Sequence, residues 1–356
     1  KSIISGCKNH LQPFFMPQIL LFRSLIVGLL VFVTACHTDR PTSEEEQSVD
    51  STRVEYRLKA VNDRIQANPN DPALYSERAS INARRGVYPA AVSDMQQAIR
   101  LDSVNAGYHL ALADYAFLGL QIPVSVNAFR KCLELDPDNK EACLKFAELN
   151  LYLKAYPDAL KYANDALKSD NRMPKPYFIK GFVYKEMKDT ARAISSFQTV
   201  VELDPDQYDA YIQLGNIFSA KGNPLAVQYY GNALRVRPGS TEAYYNRGLF
   251  LQNIGRLDQA EADYMAILKL DPRYADAHFN LGYIDLVLRN DPSASLDHFN
   301  GAIRCNPDYV EAYYNRGMAY SMTGNKEAAK KDFMKTLSIY PAYKLAQERL
   351  KEMGVK

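Results

Sequence analysis

The 356-residue chain contains no tryptophan, and its five cysteines show neither a C-x2-C spacing nor a disulfide framework. Neither sign of charge is in large excess, since 43 basic residues face 41 acidic residues and the two are interspersed. The sequence therefore has no basic stripe of the kind that binds phosphates, and we expect no nucleic-acid partner.

The motifs of the common enzyme classes are also missing. The sequence contains no G-x-S-x-G elbow, Walker loop, dinucleotide fingerprint or H-E-x-x-H metal site. The three downstream cysteines, Cys132, Cys143 and Cys305, fall where helices pack, which predicts buried and reduced thiols. We therefore expect a protein that is not an enzyme and has no cofactor or metal. A cryptic hydrolase is the least favoured alternative.

What the chain does have is a repeated unit, seen most plainly at residues 241–272. This stretch predicts two amphipathic helices, because small and apolar residues recur at steps of three and four on either side of Gly255. A glycine inside a helix costs about 1 kcal/mol relative to alanine. We therefore expect Gly248, within the first helix, to allow close approach of the Tyr264 ring from the second.

Eight copies of this unit follow one another at a spacing of 34 residues, apart from one step of 33 and one of 35. A small residue marks one site of every copy: Ala79, Ala113, Ala147, Gly181, Gly215, Gly248, Gly282 and Gly317. A second site closes each copy, usually with proline: Ser103, Pro137, Asn171, Pro205, Pro238, Pro272, Pro307 and Pro341. The regularity predicts a stack of similar helix pairs rather than a single large core.

Two copies match a known fingerprint better than residues 241–272 do, one of them through Tyr313, Gly317, Tyr320, Ala329, Phe333 and Pro341. The chain resembles the tetratricopeptide repeat (TPR) family over most of its length. The resemblance implies an all-α, right-handed superhelical solenoid of about eight helix-turn-helix repeats with capping helices at both ends.

The repeats predict a domain layout. Residues 1–36 form a signal peptide region, 37–53 a flexible polar tether, 54–71 a capping half repeat, 72–342 the eight repeats and 343–356 a C-terminal capping helix. A dimer contact through this last helix is the alternative, and the oligomeric state stays open. We expect the extra residue of the seventh repeat, near Asn290, to be absorbed in the loop between its helices.

The N-terminal region predicts export, with a start at Met16, a positive charge at Arg23 and a short apolar run that ends at Val33. The run is too short for a comfortable transmembrane helix. The following Thr34-Ala35-Cys36 resembles a bacterial lipobox, which implies a lipid anchor on Cys36. An ordinary secretory signal is the alternative reading.

In well-studied envelopes an aspartate after the lipid-bearing cysteine retains lipoproteins in the inner membrane. His37 stands there in this sequence. The resemblance therefore implies an outer membrane lipoprotein facing the periplasm, and the acidic run at residues 44–46 leaves surface exposure as an alternative.

Asparagines and aromatics recur on the first helices of the later repeats, which should form the concave groove. The predicted peptide-binding residues are Asn246, Asn280, Asn315, Tyr245, Phe279, Tyr314, Phe178, Phe182 and Tyr283. An asparagine amide both donates and accepts, so a row of exposed amides could pair with an extended backbone. Such a row resembles the asparagine ladder in the TPR domain of O-linked N-acetylglucosamine transferases. TPR consensus alone is the competing explanation.

These features together predict a membrane-tethered, non-catalytic scaffold or adaptor that binds protein or peptide segments in its groove. It resembles outer-membrane TPR lipoproteins that act as pilotins or present substrates to envelope proteases. The alternative is an accessory subunit of a glycan- or peptidoglycan-handling enzyme, in which the aromatics would stack on sugars.

Overall fold

The computed structural model describes residues 44–168 and 170–354, and every regular element in this part of the chain is helical. The all-α prediction is therefore confirmed. The chain divides into two compact units, one ending at Ser196 and the other beginning at Phe197. The signal region, Met16 and Cys36 lie outside the described residues.

The unit that ends at Ser196 holds a capping helix and three complete helix pairs. Its helices are α1 (Glu44–Ala67), α2 (Pro72–Arg84), α3 (Tyr88–Leu101), α4 (Ala106–Leu118), α5 (Ile122–Leu135), α6 (Lys140–Tyr152), α7 (Tyr156–Leu167) and α8 (Pro174–Glu186). Helix α9 (Thr190–Leu203) begins in this unit and ends in the next. Helix α2 packs on α3, α4 on α5 and α6 on α7, so these helices pair in chain order.

The unit that begins at Phe197 repeats this arrangement. Its helices are α10 (Tyr208–Ala220), α11 (Leu225–Val236), α12 (Thr241–Asn253), α13 (Leu257–Leu270), α14 (Ala275–Tyr283) with a π-helical turn (Ile284–Leu288), α15 (Pro292–Cys305), α16 (Val310–Met322), α17 (Lys326–Ile339) and α18 (Lys344–Glu352). Each even-numbered helix from α10 to α16 packs on its successor, and α18 packs on α17. The even-numbered helices from α2 to α16 are the first helices of repeats 1–8, and their successors are the second helices.

The small site lies under an aromatic ring of the second helix, as predicted for Gly248. A Cβ atom at Gly248 would stand 3.1 Å from Cε1 of Tyr264. At Gly282 the corresponding distance to the Phe299 ring would be 2.8 Å. Glycine is therefore required here for close packing, which offsets its helix penalty.

The turn between the two helices of every repeat has one residue in the left-handed region, whatever its type. These residues are Gly86, Leu120, Lys154, Lys188, Gly222, Gly255, Asn290 and Gly324, with φ between 58° and 86°. Glycine adopts this conformation without strain, whereas leucine and lysine do not. The turn geometry is therefore imposed by the packing of the helix pair and not by the local residue.

Three repeats place a charged pair between their helices, at the position just before the small site. Arg247 donates from Nε and Nη2 to the two carboxylate oxygens of Asp263, at 2.9 and 2.6 Å. Arg316 makes the same fork with Asp332, at 2.8 and 2.7 Å. Arg78 and Asp94 form the third pair. Because the aspartates are buried, these forks join first and second helices in a low-dielectric setting.

The structure differs from the sequence prediction at two places. Helix α1 begins at Glu44, so residues assigned to a flexible tether are helical. The extra residue of repeat 7 is absorbed within its first helix as the π-helical turn, where the Arg289 N–H donates to the Ile284 carbonyl at 2.9 Å. A single inserted residue is commonly accommodated in this way.

No helix among the described residues is both long enough and apolar enough to cross a membrane.

Candidate functional site

The first helices of repeats 5–8 carry a regular set of side chains that are not needed to pair them with second helices. Each helix begins with a carboxylate at its second residue: Asp209, Glu242, Asp276 and Glu311. The predicted asparagines stand four residues further on in repeats 6–8. Residues four apart lie on the same helix face. We call this face of α10, α12, α14 and α16 the first-helix surface.

The three predicted asparagines are not equivalent, and they do not form an exposed row. Asn246 is half-buried, and its Nδ2 lies 3.5 Å from Oδ1 of Asn216 on the preceding first helix. Asn315 is only 6% exposed and donates to the Glu311 carbonyl of its own helix at 2.8 Å. Its Nδ2 therefore already has a hydrogen-bond partner in the carbonyl of its own helix, which is a structural role.

Asn280 differs from both. The residue is 7% exposed, and its Nδ2 has no hydrogen-bond partner at bonding distance among the described residues. A buried donor without a partner costs about 1–3 kcal/mol, so it is uncommon in a stable fold. Its Nδ2 acts on the nearby Tyr245 phenol, whose pKa it lowers, but not at bonding distance, so within the described chain Asn280 is the one predicted asparagine whose Nδ2 makes no hydrogen bond at that distance.

The predicted aromatics pack mainly against other rings of the chain. Tyr314 is buried, with its ring centroid 5.2 Å from that of Tyr343 and 5.7 Å from that of Phe333. Phe279 stacks on Tyr309 at 5.0 Å. Aromatic pairs at these separations stabilise the contact between neighbouring repeats.

The remaining predicted aromatics lie in two places. Tyr283 is half-buried, with its centroid 6.4 Å from that of Phe279. Phe178 and Phe182 belong to α8 in the unit that ends at Ser196, and they meet edge to face at 4.9 Å. The Nζ of Lys185 lies 5.6 Å from the Phe182 ring centroid, and burial lowers the pKa of this lysine.

Around Asp276 the side chains of three repeats converge. The Tyr309 hydroxyl donates to Oδ1 of Asp276 at 2.8 Å, and the Tyr245 ring lies 6.1 Å from the Tyr274 ring. We call Tyr245, Tyr274, Asp276, Phe279, Asn280 and Tyr309 the Asp276 cluster. Its carboxylate and all four rings are half-buried, so they remain partly accessible to solvent.

Electrostatics link the members of this cluster. Burial raises the pKa of Tyr274 to about 12, and Asp276 adds to the increase. Burial and then Asp276 also raise the pKa of Tyr245, whereas the Asn280 amide lowers it. The same two causes raise the pKa of Tyr309. The three phenols therefore stay neutral at physiological pH, and the negative charge of the cluster resides on Asp276.

The sequence prediction missed Tyr274, Tyr309 and Asp276, although a signal for them exists. A tyrosine stands two residues after the closing proline in repeats 6–8, and a carboxylate follows two residues later in the first two cases. This Tyr-x-acid pattern falls across the boundary between repeats, where the family fingerprint has no marked position.

In the unit that ends at Ser196, carboxylates on the first helices have cationic partners. Lys145 forms an ion pair with Asp114 and reaches Glu141 at 2.7 Å, and Lys175 lies 3.0 Å from Glu148. Burial raises the pKa of both Asp114 and Glu148, and the lysines oppose that shift. This surface is therefore internally neutralised. Among residues 44–168 and 170–354, no group of three or more His, Cys, Asp or Glu side chains could hold a metal ion.

Comparison with known proteins places these helix pairs in a family. A model described as tetratricopeptide repeat matches residues 174–207 and 241–274, and another of the same description matches residues 298–331. The chain belongs to the tetratricopeptide repeat family. The first two ranges coincide with the fourth and sixth units that the spacing of the small sites predicts, and the third spans the boundary between the seventh and eighth.

Two curated relatives are considerably longer than this chain. A DnaJ homolog subfamily C member 7 homolog of Dictyostelium discoideum is 22% identical over 294 residues, which cover 75% of this chain and 52% of that protein. Protein O-mannosyl-transferase TMTC3 of Homo sapiens is 27% identical over 187 residues, or 48% of this chain and 20% of that protein. The chain thus spans about half or less of the length of these relatives.

A solved structure shows the same architecture. The C-terminal part of a TPR repeat-containing protein from Cytophaga hutchinsonii has 19% identity and a TM-score of 0.54, with 65% of this chain and 96% of that chain covered. At this level of identity the similarity shows the fold alone. TPR folds are protein-interaction scaffolds, which makes protein or peptide segments the expected class of partner.

Proposed function

We propose that this TPR protein is a non-catalytic scaffold or adaptor that binds extended segments of other proteins on its first-helix surface. One observation carries the proposal: Asn280 places a buried, unpartnered amide on this surface beside half-buried aromatic rings. An extended backbone supplies the carbonyl that such an amide lacks. Half-buried rings supply apolar contact area with little further loss of side-chain freedom.

The test is a titration of the full chain with two classes of probe. One is a set of fluorescein-labelled decapeptides: deca-arginine, deca-lysine, deca-glutamate and a neutral glycine-serine peptide. The other is a set of soluble peptidoglycan fragments, which the glycan alternative predicts as ligands. Binding of at least one decapeptide and of no glycan fragment is the expected result. Binding of the glycan fragments alone would contradict the proposal.

We also propose that a lipid on Cys36 tethers the protein to a bacterial envelope membrane, with the outer membrane facing the periplasm as the expected location. The proposal rests on the lipobox-like sequence, since Cys36 lies outside the described residues. Two or three acyl chains would anchor the protein stably, whereas one would not. A palmitate analogue should label the wild-type protein and not Cys36→Ala, and equal labelling of both would refute the tether.

A further inference from the structure

The negative charge of the Asp276 cluster has no cation to neutralise it. Among the described residues, only Tyr309 hydrogen-bonds the Asp276 carboxylate, and no lysine or arginine lies within ion-pair distance of it. No cation of the described chain lies over the rings of Tyr245, Tyr274 or Phe279 either. By contrast, Asp263 and Asp332 in the same unit each hold an arginine.

The chain fills a chemically similar place one repeat earlier with its own arginine. The Arg237 guanidinium lies 3.8 Å from the Tyr208 ring centroid, and the Tyr208 hydroxyl donates to Glu242 at 2.9 Å. Arg237 stands just before a closing proline. The corresponding residues of the next two repeats are Asp271 and Asn306, so neither supplies a cation there.

The wider first-helix surface is acidic in the same region. The only basic residues of α10, α12, α14 and α16 are His278, Arg247 and Arg316, and both arginines are held by aspartates of second helices. The charges that remain on this surface are the carboxylates at the second residue of each of these four helices. Attraction to the helix N-termini explains why acidic residues are favoured there. It does not explain the rings that surround Asp276 or the unpartnered amide of Asn280.

The cluster therefore has the parts of a cation site. Aromatic faces attract lysine and arginine side chains, most strongly where water is partly excluded. A half-buried carboxylate adds a charge-assisted hydrogen bond. Asn280 lies one helical turn from Asp276 on the same face, and its Nδ2 can donate to a carbonyl of the chain that carries the cation.

We propose that the Asp276 cluster binds a lysine or arginine side chain of an extended partner segment, while Asn280 donates to a backbone carbonyl of that segment. This inference rests on the proposed peptide-binding function and specifies the chemistry of the partner. The carboxylate and rings select a positive charge, and the amide selects an extended backbone over a free cation.

The experiment compares two charge-matched substitutions in the full chain, using labelled deca-arginine and deca-lysine. Asp276→Asn removes one negative charge from the cluster. Asp297→Asn removes one from an exposed position on α15, a second helix. A charge-assisted hydrogen bond contributes about 1.5–3 kcal/mol, so Asp276→Asn should weaken binding about tenfold or more. Asp297→Asn should change it less than twofold.

A second pair of variants leaves every member of the cluster in place. Asp271→Arg puts a guanidinium at the position that Arg237 occupies one repeat earlier, and Asp271 is exposed and close enough to raise the pKa of Tyr274. The new arginine should fill the site and weaken peptide binding at least tenfold. Asp297→Arg makes the same charge change on the second helix and should have a much smaller effect.

The outcomes separate the inference from the function it rests on. Equal losses for the cluster variants and their controls would overturn the inference, because only the overall charge would then matter. Binding of deca-glutamate or the neutral peptide in preference to the cationic peptides would overturn it as well, while the scaffold function would stand. Binding of none of the decapeptides would refute both.

Discussion

Removing one partner of the charged fork between Arg316 and Asp332 should destabilise the protein strongly, whereas replacing both partners with apolar residues should not. Arg316 donates twice to the Asp332 carboxylate and a third time, from Nη1, to Asn300 at 2.7 Å. The side chains are 18% and 5% exposed. Asp332→Ala would leave a guanidinium without its carboxylate in a partly dry site, which typically costs about 3–5 kcal/mol. Because Arg316 keeps some contact with water, we expect about 3 kcal/mol.

Replacing both partners should behave differently. The TPR fingerprint has leucine at the position of Arg316. Apolar residues of similar volume can substitute for a buried ion pair with little loss, and they sometimes stabilise the protein by about 1–4 kcal/mol. The double substitution Arg316→Leu with Asp332→Leu should therefore be at least about 2 kcal/mol more stable than Asp332→Ala. Its stability should come close to that of the wild type.

Two measurements suit a chain without tryptophan. Urea unfolding followed by circular dichroism gives the overall change in stability, and hydrogen exchange of α16 and α17 amides locates it, because repeat arrays need not unfold in one step. The pair Arg235 and Asp206, whose side chains are 55% and 79% exposed, is the control and should contribute no more than about 1 kcal/mol. A loss at Asp332→Ala no larger than that of the control would show that the fork contributes no more than an exposed ion pair. A double variant as unstable as the single one would show that apolar residues cannot replace the fork.

Two further predictions concern the turns between paired helices and the thiols. Leu120 is 81% exposed in the left-handed region, so Leu120→Gly should stabilise the protein by about 0.5–1 kcal/mol in urea unfolding, and Gly255→Leu should destabilise it. Burial raises the pKa of Cys132 and Cys143 to about 11. An aromatic disulfide reagent at pH 8 should therefore label half-buried Cys305 long before them. Because the folded pKa values are raised, the stability these two thiols contribute is present below about pH 9 and lost as pH rises toward 11. Simultaneous labelling of all three, or Leu120→Gly that is less stable than wild type, would contradict these expectations.

The sequence predicted those features that one repeat determines by itself. Helix pairing and the contact between Gly248 and Tyr264 follow from spacing within a single unit, and both are confirmed. Buried Cys132 and Cys143 are confirmed as well, whereas Cys305 is only half-buried. That cysteine lies in the last turn of α15, where the side chain comes within 3.9 Å of the Pro272 carbonyl of the preceding repeat without being enclosed.

Features that depend on how neighbouring repeats meet were not predicted. Nothing within α16 alone shows that Asn315 will be buried. The neighbouring Tyr314 likewise meets the Tyr343 ring only when α18 packs on α17. The Asp276 cluster likewise joins residues from either side of a repeat boundary. The binding role of the groove residues therefore stays a prediction. In the structure, Asp276 and Asn280 are better candidates for that role than a row of asparagines.

The most direct test of binding on the first-helix surface is to find which helices a bound segment touches. A photo-reactive benzoylphenylalanine is placed at Leu249, which shares its face of α12 with Tyr245 and Asn246, or at Met265, which is 51% exposed on the second helix α13. Each full-length variant is irradiated with the decapeptide that binds most tightly. Binding on the first-helix surface should give crosslinking from Leu249 and none above background from Met265. Crosslinking from Met265 alone, or equally from both positions, would contradict it.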